Sequence, residues 1–259
     1  MPLTRLATLL QNLNQFGRFI LAWGLAVGVG VLVLLLSVII KPTTLWYRLR
    51  TPWARLTLRL LRIRLEVTGQ EHLVGPKIFI ANHMSLIDVV VVPAIVPRGC
   101  RFVAKRELMF VPFWGWAFAS AGALLIDRRN PRLAAKSLLE GLKKLPAGWS
   151  LVVFPEGTRS RTGALQRFKR GAFSLALASR MPMVPIGIAG THAIIGPKQW
   201  FVRSGVVRVH VGPPLDTRTW QADTLRQHIQ EGQDAVAACL QALGEPAHAP
   251  QVAEPCHVS

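Results

Sequence analysis

The run FILAWGLAVGVGVLVLLLSVII, from Phe19 to Ile40, contains no charged residue and constrains the fold more than any other feature. As a helix it reaches ~33 Å against ~30 Å of bilayer hydrocarbon, long enough to cross a membrane. A cleaved signal peptide calls for an apolar stretch of roughly 7–15 residues and a small-residue cleavage site; here Lys41 and Pro42 follow instead. The flank after the run carries Lys41, Arg48, Arg50 and Arg55, the flank before it Arg5 and Arg18. That bias places the rest of the chain on the cytoplasmic side.

Residues 43–67, TTLWYRLRTPWARLTLRLLRIRLEV, read as a second helical segment. At about 100° per residue, Arg48, Arg55, Arg59 and Arg62 form one stripe, and Trp46, Leu49, Trp53, Leu56, Leu60 and Ile63 another. The pattern predicts a basic amphipathic helix at an anionic membrane surface, with Trp among the acyl chains and Arg among the headgroups. The competing arrangement is a solvated basic face packed on the following domain. Pro52 is a candidate kink. The two apolar segments are also compatible with a hairpin that dips into one leaflet.

Charge narrows the partners. The chain has 31 Lys+Arg against 13 Asp+Glu, a formal net charge of +18, and 23 of the basic residues are Arg, whose planar fork suits phosphate. Eight Trp against one Tyr and 51% hydrophobic residues favour a membrane surface over nucleic acid as the polyanion. Cys100, Cys239 and Cys256 lie far apart, without metal-ligand spacing, so neither a disulfide framework nor a metal site is expected.

After Val67 short apolar runs alternate with helical stretches. Expected strands are 77–81, 101–104, 123–126, 150–154, 183–189 and 206–211; expected helices lie near 86–95, 113–120, 131–145, 168–180 and 219–243. The alternation predicts an α/β fold, a mixed, largely parallel sheet flanked by helices, preceded by the N-terminal membrane-associated helical segment. The expected organisation is an anchor over 1–64, a catalytic domain over 65–243 and an unfolded Pro/Ala-rich tail over 244–259. In such sheets ligands gather at the carboxyl ends of strands, which directs attention to the residues after each strand.

Between Val67 and Leu215 the carboxylates are only Glu71, Asp88, Glu107, Asp127, Glu140 and Glu156. In ANHMSLIDV, His83 and Asp88 are five apart, about 140° on one helix, and cannot meet there. If Ser85 caps a helix holding Asp88 in its first turn, the preceding loop can fold His83 back onto the carboxylate. An Asp-oriented His leaves one ring nitrogen as a general base, with the nucleophile supplied by the substrate. The same residues also read as a capping arrangement with an ordinary loop histidine. FPEGTRSRTG combines turn formers at Pro155, Gly157 and Gly163 with Glu156, Thr158, Arg159 and Arg161, a loop able to cradle an anion, with Arg167, Lys169 and Arg170 downstream. FVAKREL places Lys105 and Arg106 after a strand. MVPIGIAGTH is an apolar strand holding Val184, Pro185 and Ile186, and ends at Gly190, where backbone can approach a ligand.

In this order NHMSLID, FVAKREL, FPEGTRS and VPIGIAG resemble the four motifs of the glycerolipid acyltransferase family, most closely its bacterial 1-acyl-sn-glycerol-3-phosphate acyltransferases, over roughly residues 65–215. The resemblance implies His83 as general base oriented by Asp88. It implies an acceptor-phosphate site from Lys105 or Arg106 with Gly157, Thr158 and Arg159, and a loop-ordering or acceptor-contacting role for Glu156. The segment Val184, Pro185 and Ile186 is implied as part of the acyl or acceptor wall. No metal or cofactor is implied; acyl-CoA or acyl-carrier protein is the co-substrate, lysophosphatidate the acceptor, and anionic lipids of the bacterial inner membrane are the surroundings, without nucleic acid. Another lysolipid acceptor, such as a lyso-ornithine lipid, shares the motifs, and a non-catalytic anion-binding module is the more distant alternative.

Overall fold

A computed structural model describes residues 2–36, 39–110, 115, 122–127, 131–196, 199 and 202–245. Seven strands form one sheet: β1 (Ile63–Thr68), β2 (Ile78–Ala81), β3 (Cys100–Lys105), β4 (Leu124–Ile126), β5 (Ser150–Val153), β6 (Met183–Ala189) and β7 (Gly205–Val211), in spatial order β1-β7-β6-β2-β5-β3-β4. All neighbouring pairs are parallel except β6 with β7. The mixed, largely parallel α/β sheet is therefore as expected.

The central strands are apolar on both faces because helices cover both. Phe79, Ala81, Val152, Val184 and Ile186 pack with α1 (Pro2–Leu36), α2 (Pro42–Leu60) and α3 (Asp88–Ile95). Ile78, Ile80, Leu151, Val153 and Met183 face the other way, toward α4 (Pro131–Lys143), α5 (Gly171–Ser179) and α7 (Leu225–Ala242). A short α6 (Thr191–Ile194) follows β6. Ile78, Phe79 and Ile80 are fully buried, each worth about 1.5–3 kcal/mol over an exposed position.

Four expectations need correction. Residues 43–67 are not one helix: α2 ends at Leu60, Arg62 takes a left-handed conformation at φ 53°, and Ile63–Thr68 is strand β1, paired in parallel with β7. Pro52 does not divide α2, which runs continuously through it. The missing N–H frees the carbonyl of Arg48, and both residues are exposed, so water can satisfy it. Nor do the Trp side chains of α2 face lipid: Trp53 is buried in the core beside α3, and Trp46 packs with Val33 of α1.

The fourth correction concerns Arg50, one of the segment's arginines expected among headgroups. It is fully buried and donates to the carbonyls of Cys100, Val96 and Pro97. Thr51 and Arg55 donate to Pro93 and Ala94. The last carbonyls of a helix have no intrahelical partners, and α2 supplies them for α3 and the loop after it. Burial pulls the Arg50 pKa below its usual value. The helix dipole, stacked Tyr47 and Phe102 rings and these carbonyls offset that cost.

Within α1, Leu13–Val33 is long and apolar enough to cross a membrane. Its residues Phe19, Ala22, Leu25, Ala26 and Val29 pack on the domain core, while Leu13, Phe16, Ile20, Leu21 and Trp23 are exposed. Of the expected helix at 113–120 only Gly115 is among the described residues, and nearly all of the tail, including Cys256, falls outside them.

Candidate active site

The parallel strands place Ala81, Lys105, Ile126, Val153 and Ala189 at one edge of the sheet, and the site forms there. Just past β2, the Asn82 side chain donates to the carbonyl of Ile188 (2.8 Å) and accepts from its N–H (2.7 Å). The amide thus replaces one rung of the β2–β6 ladder and frees the main chain to turn. The next residue, His83, donates its backbone N–H to Glu156 Oε1 (2.7 Å), and its carbonyl accepts from Ser160 N–H (2.8 Å). These bonds join the two sequence motifs.

The turn brings His83 Nδ1 to 2.8 Å from Asp88 Oδ2, as the loop argument expects. The same oxygen accepts the N–H groups of Met84 and Ser85, each at 2.8 Å. The carboxylate is fully buried, and its other oxygen, Oδ1, has no hydrogen-bond partner among the described residues. Catalytic orientation and capping are therefore not rivals, because one oxygen holds the turn and the imidazole together. Ser85 is not the helix N-cap, since α3 begins at Asp88. Its hydroxyl accepts from Ile87 N–H and donates to the carbonyl of Ile195 (2.8 Å).

The His83 ring stacks on Phe154, centroids 4.3 Å apart, and its side chain is 16% exposed. With Nδ1 bound to Asp88, Nε2 carries no hydrogen bond to a described residue. That leaves it available to a substrate hydroxyl.

Glu156 is buried, and both its oxygens take backbone N–H groups, Oε1 from His83 and Oε2 from Gln166 (3.3 Å). Burial pushes its carboxyl up to about 7, opposed by those two N–H groups and reinforced by nearby Asp88. Each carboxylate oxygen is thus engaged by a backbone N–H, one from each side of the site. Gly157 adopts φ +76°, closing the turn with its N–H on the Phe154 carbonyl. A Cβ there would approach Lys169 Nζ to 3.0 Å. Thr158 and Arg159 are exposed beyond it.

Lys105, at the end of β3, pairs with Glu107 at 3.2 Å and is half exposed; Arg106 is exposed beside it. Both lie on the same edge as Glu156. Val184, Pro185 and Ile186 are buried within β6, where Val184 and Ile186 pack toward α2 and α3. Gly190 packs closely on β7, where a Cβ would lie 2.4 Å from the Val206 carbonyl oxygen.

A cavity of about 500 Å³ opens beside Phe154, between the sheet and α4 and α5. Its wall is apolar, with Val103, Ile126, Leu138, Val153 and Leu175, and Lys169 and Arg170 are the cations among its described lining residues. Sequence patterning did not assign this cavity. Its only local signal was the basic pair downstream of the Gly157 turn.

Nothing in this constellation is a metal cluster: among the described residues no group of His, Cys, Asp and Glu is placed to hold an ion. A His–Asp pair thus stands at the carboxyl edge of an α/β sheet, near an apolar cavity bordered by Lys169 and Arg170. The sequence profile of the acyltransferase family, described as Acyltransferase, matches residues 64–189. Similar proteins include the 1-acyl-sn-glycerol-3-phosphate acyltransferase of Limnanthes alba, 35% identical over 192 residues, 74% of this chain and 68% of that one. The protein of that name from Saccharomyces cerevisiae is 34% identical over 189 residues, 71% of this chain and 62% of the yeast protein. The chain belongs to the acyltransferase family. It spans a little under two thirds of the yeast relative's length. The fold is also that of the crystal structure of the 1-acyl-sn-glycerophosphate (LPA) acyltransferase PlsC from Thermotoga maritima, with TM-score 0.76 and 24% identity, covering 91% of this chain and 98% of that one.

Proposed function

We propose that the protein transfers an acyl group from an acyl thioester, acyl-CoA or acyl-carrier protein, to the sn-2 hydroxyl of 1-acyl-sn-glycerol-3-phosphate, giving phosphatidate for phospholipid biosynthesis. The observation that carries this reading is the His83 ring, bound to buried Asp88 through Nδ1 and open at Nε2. His83 Nε2 takes the acceptor's hydroxyl proton as its oxygen attacks the thioester carbonyl, and Asp88 stabilises the imidazolium formed. Collapse of the tetrahedral intermediate breaks the C–S bond, and the proton on His83 passes to the departing thiolate. Backbone N–H groups are the proposed oxyanion donors. The transfer is direct: the Ser85 hydroxyl is engaged with Ile195, which leaves the substrate alcohol as nucleophile.

Charge and shape assign the rest. Thr158, Arg159, Lys105 or Arg106, together with Lys169, hold the acceptor's phosphate, while Glu156 and Gly157 fix the loop that carries them. The cavity between the sheet and α5 takes an acyl chain, a task for which its apolar wall is suited. Membrane contact comes through α1. The stretch Phe19–Val29 packs on the domain, so a perpendicular span would draw the domain into the hydrocarbon. Insertion into one leaflet from the cytoplasmic face of the bacterial inner membrane satisfies both the packing and the exposed apolar side chains.

The test is transfer by the purified protein from acyl-CoA and from acyl-carrier protein to a panel of lysolipids. Phosphatidate as the main product is the expected result. Preferred acylation of a lysolipid without a phosphomonoester would overturn the acceptor assignment.

A further inference from the structure

At the amino-terminal edge of the sheet, away from His83, a second cavity of about 350 Å³ is lined by Tyr47 and Arg48 of α2, Arg98 and Arg101 near the start of β3, and Trp149 before β5. No carboxylate is among its described lining residues. Three guanidinium groups in one concavity repel each other unless an anion joins them. The Arg101 guanidinium lies 5.6 Å over the Trp149 ring, and Trp149 meets Tyr47 edge-on at 4.4 Å, so aromatic rings fix one wall. Arg101 Nε is buried without a hydrogen-bond partner among the described residues. Arg101 opens β3 while Lys105 ends it, so about 13 Å of strand separates this cluster from the catalytic edge.

Its position relative to α1 selects the anion's source. The turn between α1 and α2 exposes Ile39 (84%) and Ile40. From Pro42 to Arg48 the helix rises ~9 Å, comparable to the ~5–8 Å headgroup layer on each side of the hydrocarbon. With the turn in acyl chains, Arg48 and its neighbours stand among headgroups, where Trp and Tyr also concentrate. We infer that the cavity formed by Arg48, Arg98, Arg101, Tyr47 and Trp149 is a second anion site, which binds the headgroup phosphate of an anionic membrane lipid.

This inference rests on membrane contact through α1, not on the transfer chemistry. The full chain in neutral detergent is titrated with dihexanoyl phosphatidylglycerol, with inorganic phosphate and with dihexanoyl phosphatidylcholine, and tryptophan fluorescence is read. A saturable change with phosphatidylglycerol is expected, absent in Trp149→Phe and weakened at least tenfold in Arg48→Gln/Arg98→Gln. Both arginines are exposed, so that variant should keep the wild-type melting temperature. Binding should persist in His83→Ala and Arg159→Ala, which separates it from failure of the acceptor site. Unchanged binding in the double arginine variant, loss in Arg159→Ala, or equally tight binding of inorganic phosphate or phosphatidylcholine would overturn the assignment.

Discussion

Replacing Asp88 by Asn isolates the charge of the carboxylate from its geometry. Asp88 Oδ2 accepts three hydrogen bonds, from His83 Nδ1, Met84 N–H and Ser85 N–H, and an Asn oxygen in that place can accept the same three. The new amide nitrogen would occupy the position of Oδ1, which has no partner to lose. The turn should therefore survive. The stabilisation of the imidazolium should not. At the 2.8 Å separation of His83 and Asp88, unit charges in an effective dielectric of about 20 attract by about 6 kcal/mol. The Asn dipole and rearranged solvent recover part of this, leaving a loss of about 3–5 kcal/mol, in line with other broken buried pairs. Because the imidazolium forms only as the proton leaves the acceptor, the loss falls on the transition state. Asp88→Asn should lower kcat by about 10²–10⁴-fold with little change in acceptor KM. Steady-state kinetics, with a thermal melt of each protein, measure this. A near-wild-type kcat in a folded variant would refute the argument that Asp88 supports charge on His83.

The remaining expectations probe the parts around that pair. Glu156→Gln leaves either the His83 or the Gln166 N–H facing an amide donor, and should cost about 1–3 kcal/mol of stability near pH 7 before any relief of charge burial. Because burial raises the Glu156 carboxyl to about 7 from 4.5, its contribution to stability is fully present below about pH 4.5 and is lost as pH rises through 7. Wild-type melting temperature should fall relative to the Gln variant over that window, and parallel pH curves for the two proteins would contradict it. Arg159→Ala and Lys169→Ala should each raise the KM for lysophosphatidate by about 10–100-fold, as expected for one charge-assisted hydrogen bond; a monoacylglycerol acceptor should show no such change. Ser174→Phe should narrow the cavity beside Phe154 and lower the kcat/KM ratio of long to short acyl thioesters, by about 0.8 kcal/mol for each methylene excluded.

The central strands were legible because a sheet covered on both faces needs continuous apolar runs, and 77–81, 150–154 and 183–189 are such runs between turn formers. β1 was not, because Arg59, Arg62 and Arg64 continue the charge rhythm of α2 into it. Its partner β7 lies about 140 residues away, as in the pairing of Val67 with Val209, and no local pattern announces that contact. His83 and Asp88 were legible from spacing that excludes a shared helix but allows a loop. The inward turn of Glu156 was not, since Gly157 can reverse the chain either way. Arg50 misled because a count of basic residues beside an apolar run does not tell which of them the fold covers. The cavity beside Phe154 stayed hidden for a similar reason: Ile126, Leu138 and Leu175 come from three elements and meet only in the folded chain.

The most direct test of the transfer mechanism compares wild type with His83→Ala, using lysophosphatidate and a long-chain acyl thioester and following thiol release and phosphatidate together. Wild type should form the two products in equal amounts. His83→Ala should remain folded and membrane-bound while turnover falls at least ~10²–10⁴-fold, the contribution of a positioned base. Turnover near the wild-type rate in that variant, or thiol release without phosphatidate in wild type, would contradict the account.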